Sequence, residues 1–187
     1  MIYKSSRLSN FSGVFNMKKV STLILASPFP QSSSEKIARQ LEKSLGTDWI
    51  FEEIDLSTLP ADDLLFRTKT PSEKFNHSVK QIMNSDLIII ASPTYRATYT
   101  GLLKVFFDLL PQDCLKGKTS MLIQTGGSPD HFLSIEMGLV PLVRSLGSNI
   151  ISQTIYASPS DWDKSGEISI ELSSKISSAS IEIQKQI

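Results

Sequence analysis

The sequence predicts a doubly wound α/β fold, in which a parallel sheet is covered by helices on both faces. Three observations lead there. Strand-like and helix-like hydrophobic patterns alternate five times along the 187 residues. Residues 86–91 (DLIIIA) form a nearly continuous apolar run, as a central parallel strand buried on both sides requires. The loops after residues 26, 91 and 125 are rich in Ser, Thr, Pro and Gly, and ligands in such sheets bind beyond the strand C-termini.

Each element can be justified in order. Residues 20–26 (VSTLILA) are the first strand, stopped by Pro28 and Pro30. A helix follows over 34–45, where Ile37, Leu41 and Leu45 recur four apart. Residues 49–54 are a short second strand. The stretch 55–70, with Pro60 and the pair Asp62-Asp63, reads as a turn-rich surface excursion. Pro71 is placed to open the next helix at its first position, and Phe75, Val79 and Ile82 give that helix an inner face up to about residue 84. After the central strand, a loop over 92–100 leads to a helix over 101–110 that Pro111 ends. Residues 119–125 (TSMLIQT) are the fourth strand. Residues 131–146 carry helical periodicity, which Pro141 is expected to kink or shorten. A last strand over 150–157 and a last helix over 168–185 complete the alternation.

Composition narrows the function classes. Forty per cent apolar and 20% charged residues are globular values, and the length suits one domain. Nineteen basic residues balance nineteen acidic ones, so no basic face for nucleic acid is expected. No apolar run approaches the roughly 20 residues that cross a bilayer, so no membrane partner is expected. The single cysteine, Cys114, excludes an internal disulfide and fits a reducing, cytoplasmic location. Met17-Lys18-Lys19-Val20 reads like a chain start feeding a strand. Residues 1–16 are therefore read as a disordered extension or a misassigned start, and residues 17–187 as one domain.

The three loops carry the chemistry, and each has two readings. Ser27, Ser32, Ser33 and Ser34 precede a helix whose free N–H groups point to the same space; hydroxyls plus a helix N-terminus make a phosphate cradle without lysine. The same serines also suit plain helix capping. Pro93, Thr94, Tyr95 and Arg96 follow the central strand, where a planar ring can rest on backbone and Arg96 can face an anion. Alternatively the tyrosines pack between subunits and Arg96 is solvated. Thr125, Gly126, Gly127 and Ser128 permit close backbone approach, or form an ordinary turn.

These segments, SPFPQSSS at 27–34, ASPTYRATYTGLLK at 91–104, FDLLP at 107–111 and TGGS at 125–128, resemble the NAD(P)H-dependent FMN reductase family of flavodoxin-like proteins. The likeness covers residues 18–157 and is nearest to the branch of sulfonate-utilisation FMN reductases. It implies a three-layer α/β/α sandwich with a five-stranded parallel sheet ordered 2-1-3-4-5. It also implies FMN at the sheet's C-terminal edge, with Ser27, Ser32, Ser33 and Ser34 at the phosphate. Pro93, Thr94, Tyr95 and Arg96 would lie beside the isoalloxazine and ribityl chain, and Thr125, Gly126, Gly127 and Ser128 would close against the ring. NADPH or NADH would deliver hydride to flavin N5, and a free flavin, quinone or azo compound would accept the electrons. The resemblance further implies a homodimer or homotetramer, with a monooxygenase as a possible further partner. It requires no catalytic side chain and no metal.

One departure stands at Met137. The sulfonate-linked branch has a tyrosine there that contributes to a helical bulge associated with flavin transfer; its replacement favours a reductase that retains FMN. Alternatives to the enzyme are a non-enzymatic FMN-binding electron carrier and a phosphate-ligand binding module. Elsewhere, His77 reads as a surface residue and Cys114 as an inert thiol. His131 either approaches the flavin or opens a surface helix. Trp162, between Asp161 and Asp163, either forms part of the pocket wall or anchors the last helix.

Overall fold

A computed structural model describes residues 18–66, 69–151 and 153–187; the reading of residues 1–16 lies outside them. The strands Lys19–Leu25 (β1), Trp49–Asp55 (β2), Leu87–Pro93 (β3) and Thr119–Thr125 (β4) lie parallel in the order β2-β1-β3-β4, with the last sequence strand at the far edge. That is the expected 2-1-3-4-5 arrangement. β3 runs from Leu87↔Thr119 to Pro93↔Thr125 beside β4, and from Ser21↔Leu87 to Leu25↔Ala91 beside β1. Residues 87–91 are buried throughout, which is why their pattern is continuous rather than alternating.

Alternate residues divide the apolar side chains into two layers. Leu23, Leu25, Ile89, Met121 and Ile123 pack against the helices Ser33–Leu45 (α1) and Ile170–Gln186 (α6). Ile24, Ile88, Ile90 and Leu122 pack on the other face, against Glu73–Asn84 (α3) and Gly101–Leu109 (α4). Among the described residues no helix is long and apolar enough to cross a membrane. Cys114 is buried, and that burial pushes its thiol up to about 11.

Three readings of the sequence need correction. The excursion after β2 is not simple surface turn. It contains the helix Ala61–Phe66 (α2), and Leu56, Leu59 and Leu64 are buried in the α3–α4 layer because they are spaced to turn inward together. Pro71 is not the first residue of α3; Ser72 caps that helix by accepting from the Phe75 N–H at 3.2 Å. The stretch 131–146 holds the expected helix in shortened form: after a 3-10 turn at Pro129–Phe132 the chain is helical without a break over 133–145, with a π-helix at Ile135–Leu139 running directly into Val140–Ser145 (α5). Pro141, which has no N–H to give, directly follows Val140, whose N–H bonds back five residues to the Ile135 carbonyl, so the proline sits where the helical ladder is already widened. The π-helix contains Met137, so a helical bulge forms here with methionine at the position where the related branch has tyrosine.

The last strand is also split, into Asn149–Ile150 (β5) and Ile155–Ala157 (β6), both paired with β4. The chain takes five steps from Ile150 to Ile155 where β4 takes three from Ser120 to Ile123. This bulge redirects the end of the edge strand toward the loops.

Candidate functional site

The loops after β1 and β3 are tied together before any ligand is considered. Thr100 caps α4, its Oγ1 accepting from the Leu103 N–H at 3.2 Å, and the same hydroxyl donates to the Ala26 carbonyl at 2.8 Å. The Thr100 N–H donates to Ser92 Oγ at 3.2 Å, and the Ala26 N–H to the Ala91 carbonyl at 2.9 Å. Thr100 and Ser92 are buried, so these bonds are made in a low-dielectric setting and hold the loop ends firmly.

In the serine loop most hydroxyls serve the loop itself. Ser27 Oγ donates to the Phe29 carbonyl at 2.7 Å and accepts from the Phe29 N–H at 3.1 Å. Ser32 is the N-cap of α1, accepting from the Glu35 N–H at 3.2 Å, and its hydroxyl lies 3.1 Å from that of buried Ser34. Ser33, the first residue of α1, is exposed. Glu35 would oppose an anion there, but Arg39 pairs with it at 3.3 Å.

After β3, the Tyr95 N–H donates to the Thr98 carbonyl at 2.8 Å, and the Thr98 N–H to the Tyr95 carbonyl at 3.2 Å. Arg96 and Ala97 form the tip with φ of 52° and 62°, a mirror-image turn that favours Gly or Asn. Each non-glycine residue held there costs about 1–2 kcal/mol. Ala97→Gly is expected to stabilise the fold by roughly 0.5 kcal/mol, since glycine's extra unfolded-state entropy returns about 0.4–1 kcal/mol. Urea denaturation tests this; a lowered midpoint would contradict the strain.

At the end of β4, the Thr94 N–H donates to the Thr125 carbonyl at 2.6 Å, and the Gly126 N–H to the Ala157 carbonyl at 2.9 Å. The two glycines differ. A Cβ on Gly126 would lie 2.1 Å from Tyr156 Oη and 3.3 Å from Thr94 Cβ, whereas one on Gly127 would meet nothing. Ser128 caps the following 3-10 turn through the Asp130 N–H at 3.2 Å. Burial pushes the Tyr156 phenol up, a hydrogen bond with Thr94 pulling the other way, and its Oη donates to the Ser128 carbonyl at 2.6 Å.

These segments border one cavity of about 460 Å³, lined by Ser33, by Pro93, Thr94 and Tyr95, by Thr125, Gly126 and Gly127, and by Ala157, Pro159 and Trp162. A larger hollow of about 810 Å³ is lined only by residues of α3, from Glu73 to Lys80. It brings no second element into play, so convergence rather than size selects the site. Of the sequence-predicted residues, Ser27, Ser32, Ser34, Arg96 and Ser128 do not line the cavity: the serine hydroxyls bond within their loops, and Arg96 is exposed at its turn. His131 is exposed in the 3-10 turn outside the lining.

The wall beyond β6 is pinned by Asp161. Burial works to raise its carboxyl, but the Ser158 N–H at 2.9 Å, the Ser158 hydroxyl at 3.0 Å and Lys175 at 3.3 Å outweigh it and hold the group below its ordinary 3.8. A carboxyl depressed by folding contributes stability that is present above 3.8 and lost as pH falls through the lower folded value. Acid titration of Trp162 emission, read in a Trp49→Phe background, should therefore show a transition below pH 3.8 that Asp161→Asn removes. An identical transition in Asp161→Asn would contradict it.

Residues 20–163 match the sequence model of the NADPH-dependent FMN reductase family. The chain belongs to this family. It is 32% identical over 142 residues to the FMN reductase (NADPH) of Escherichia coli (strain K12), covering 76% of this chain and 74% of that protein. It is 37% identical over 95 residues to the NADH-dependent FMN reductase SfnF of Pseudomonas putida, about half of each chain. Among solved structures, the apo form of an NADH:FMN oxidoreductase (EMOB) aligns with a TM-score of 0.82 and 30% identity over 90% of both chains.

The span matched by the FMN reductase family contains all three loops and Trp162. Both readings of Trp162 hold: it lines the cavity, and it packs against the layer that contains Leu172 and Ile176 of α6. Ala157, Pro159 and Tyr156 were not singled out by sequence. One signal was available: a parallel last strand delivers its C-terminal end to the same sheet edge as the others.

Proposed function

We propose that the chain is an NAD(P)H-dependent FMN-binding oxidoreductase and that this cavity is its flavin site. The observation that carries the reading is the convergence of the α1 start, residues 93–95 and residues 125–127 on one hollow, within the segment that matches the family. Its volume falls in the range of about 300–1,000 Å³ usual for small-molecule sites. Gly126 keeps this wall compact, since the place of its Cβ is already taken by Tyr156 Oη.

Ser33 and the first-turn N–H groups of α1 are the phosphate donors in this reading, because helix N-termini lack intrahelical acceptors and favour negative charge. Ser27, Ser32 and Ser34 act by fixing the loop's shape. Pro93, Thr94 and Tyr95 border the ring and ribityl chain, with Arg96 at the rim; Thr125, Gly126 and Gly127 close against the ring, and Ser128 holds their loop through its bond to Tyr156. Bound FMN supplies the hydride-accepting chemistry. The protein's residues then hold and align two reactants and exclude water, and no general acid or base is required of them. NADPH or NADH is the reductant; a free flavin, quinone or azo compound is the acceptor.

We also propose a homodimer or homotetramer in the cytoplasm. Phe132, Leu133 and Met137, beside and within the π-helix, are more than half exposed, and such apolar surface supports association. Purified protein reconstituted with FMN should bind it and, under anaerobic conditions, lose its flavin absorbance on addition of NADPH or NADH. Absence of both flavin binding and nucleotide oxidation would overturn the reading.

A further inference from the structure

Tyr156 lies outside the loops that the sequence points to, yet it reaches two of them. It stands in β6 beside Gln124 of β4, on the sheet face that carries Ile135 and Leu139. The bulge between β5 and β6 explains how it gets there. Its excess is two residues, an even number, so side-chain alternation is preserved and Tyr156 stays on the face of Gln124.

From this position the phenol makes two contacts that shape the loop. Its Oη donates to the Ser128 carbonyl at 2.6 Å, and it stands where any Cβ on Gly126 would have to go. The Gly126 N–H is already held by the Ala157 carbonyl. The loop is thus fixed on entry by a β6 backbone group and on exit by the β6 tyrosine. Thr94 borders the same Gly126 Cβ position as the phenol, and its hydroxyl lies 3.5 Å from Gln124 Nε2. Gln124 Oε1 accepts from Ser134 Oγ at 3.1 Å, and Ser134 directly precedes the π-helix. A line of polar side chains therefore joins the cavity wall to the π-helix through a layer that is otherwise apolar.

We propose that Tyr156 is the positioning residue of the cavity: its hydroxyl sets the Gly126–Ser128 loop in the shape that receives flavin, and Gly126 is glycine because that hydroxyl fills the place of its side chain. This rests on the reading of the cavity as the FMN site. The physical reason is preorganisation. Two adjacent glycines have more conformational freedom to lose than any other pair, and a loop ordered during folding does not have to be ordered again when ligand arrives.

The test compares the wild type, Tyr156→Phe, Gly126→Ala and the double variant. Tyr156→Phe keeps the ring and removes only the hydroxyl. In flavin-free protein its Gly127–His131 amides should exchange about tenfold faster, the factor expected for one hydrogen bond, while amides of β3 and α1 are unchanged. Titration with FMN, followed by flavin fluorescence, should give a Kd about tenfold higher. Gly126→Ala should weaken FMN more than Tyr156→Phe does. The double variant should bind FMN more tightly than Gly126→Ala alone, because without Oη the nearest atoms to the new Cβ are Tyr156 Cζ at 3.1 Å and Thr94 Cβ at 3.3 Å.

Unchanged loop exchange in Tyr156→Phe, or additive losses in the double variant, would overturn the proposal. If the wild type itself does not bind FMN, the flavin reading fails. The exchange measurement then still decides whether Tyr156 holds the loop.

Discussion

Gly126→Val is expected to weaken flavin binding about 100-fold while leaving the fold intact. The valine Cβ would sit 2.1 Å from Tyr156 Oη and 3.3 Å from Thr94 Cβ. Either the phenol or the loop must move, and both border the cavity. Overpacking of this kind costs about 1–3 kcal/mol, so FMN should bind about 100-fold more weakly. Equal FMN affinity in wild type and Gly126→Val, measured by fluorescence quenching, would remove the glycine from the account.

Phe106→Ala is expected to produce the largest loss of stability, about 3–5 kcal/mol. Phe106 is fully buried in α4, and its ring meets that of Phe75 from α3 edge to face, with centroids 5.9 Å apart. It also touches the ring of Phe107 at 6.1 Å. Truncation leaves a cavity where α3, α4 and the sheet meet, and the strands beneath cannot collapse into it because α4 is anchored through Thr100. Against a total of about 5–15 kcal/mol, most of the chain's stability is at stake. The urea midpoint measures it; a loss below about 1 kcal/mol would show that the layer repacks.

How much was legible in the sequence follows from how local each signal is. β3 and β4 were legible because complete burial writes a continuous apolar run, and α1 because its stripe has an unbroken spacing of four. Sheet order 2-1-3-4-5 came through resemblance, since local pattern does not say which parallel strands adjoin. α2 was obscured because Pro60, Asp62 and Asp63 are turn residues by habit, although they serve here at a helix start. The π-helix has no spacing signature of its own; one extra residue in a turn looks like a disrupted stripe. The bulge between β5 and β6 was invisible for a related reason, as an even insertion preserves alternation.

The site was legible in part. Strand ends followed by Ser, Thr and Gly marked three of the four segments around the cavity. Which serine lines it was not legible, because Ser27, Ser32, Ser33 and Ser34 are chemically alike and differ only in which backbone groups their hydroxyls meet. Tyr156 was missed because its role depends on register with Gln124 and on the empty space above Gly126, and neither is a property of neighbouring residues.

The central claim is that the start of α1 receives a phosphate at a cavity shaped for flavin. Its most direct test is a parallel titration of flavin-free protein with FMN and with riboflavin, which lacks the phosphate, followed by quenching of flavin fluorescence. Charge-assisted hydrogen bonds from a helix N-terminus should make FMN bind at least about 100-fold more tightly. Equal affinity for the two flavins, or binding of neither, would contradict the account.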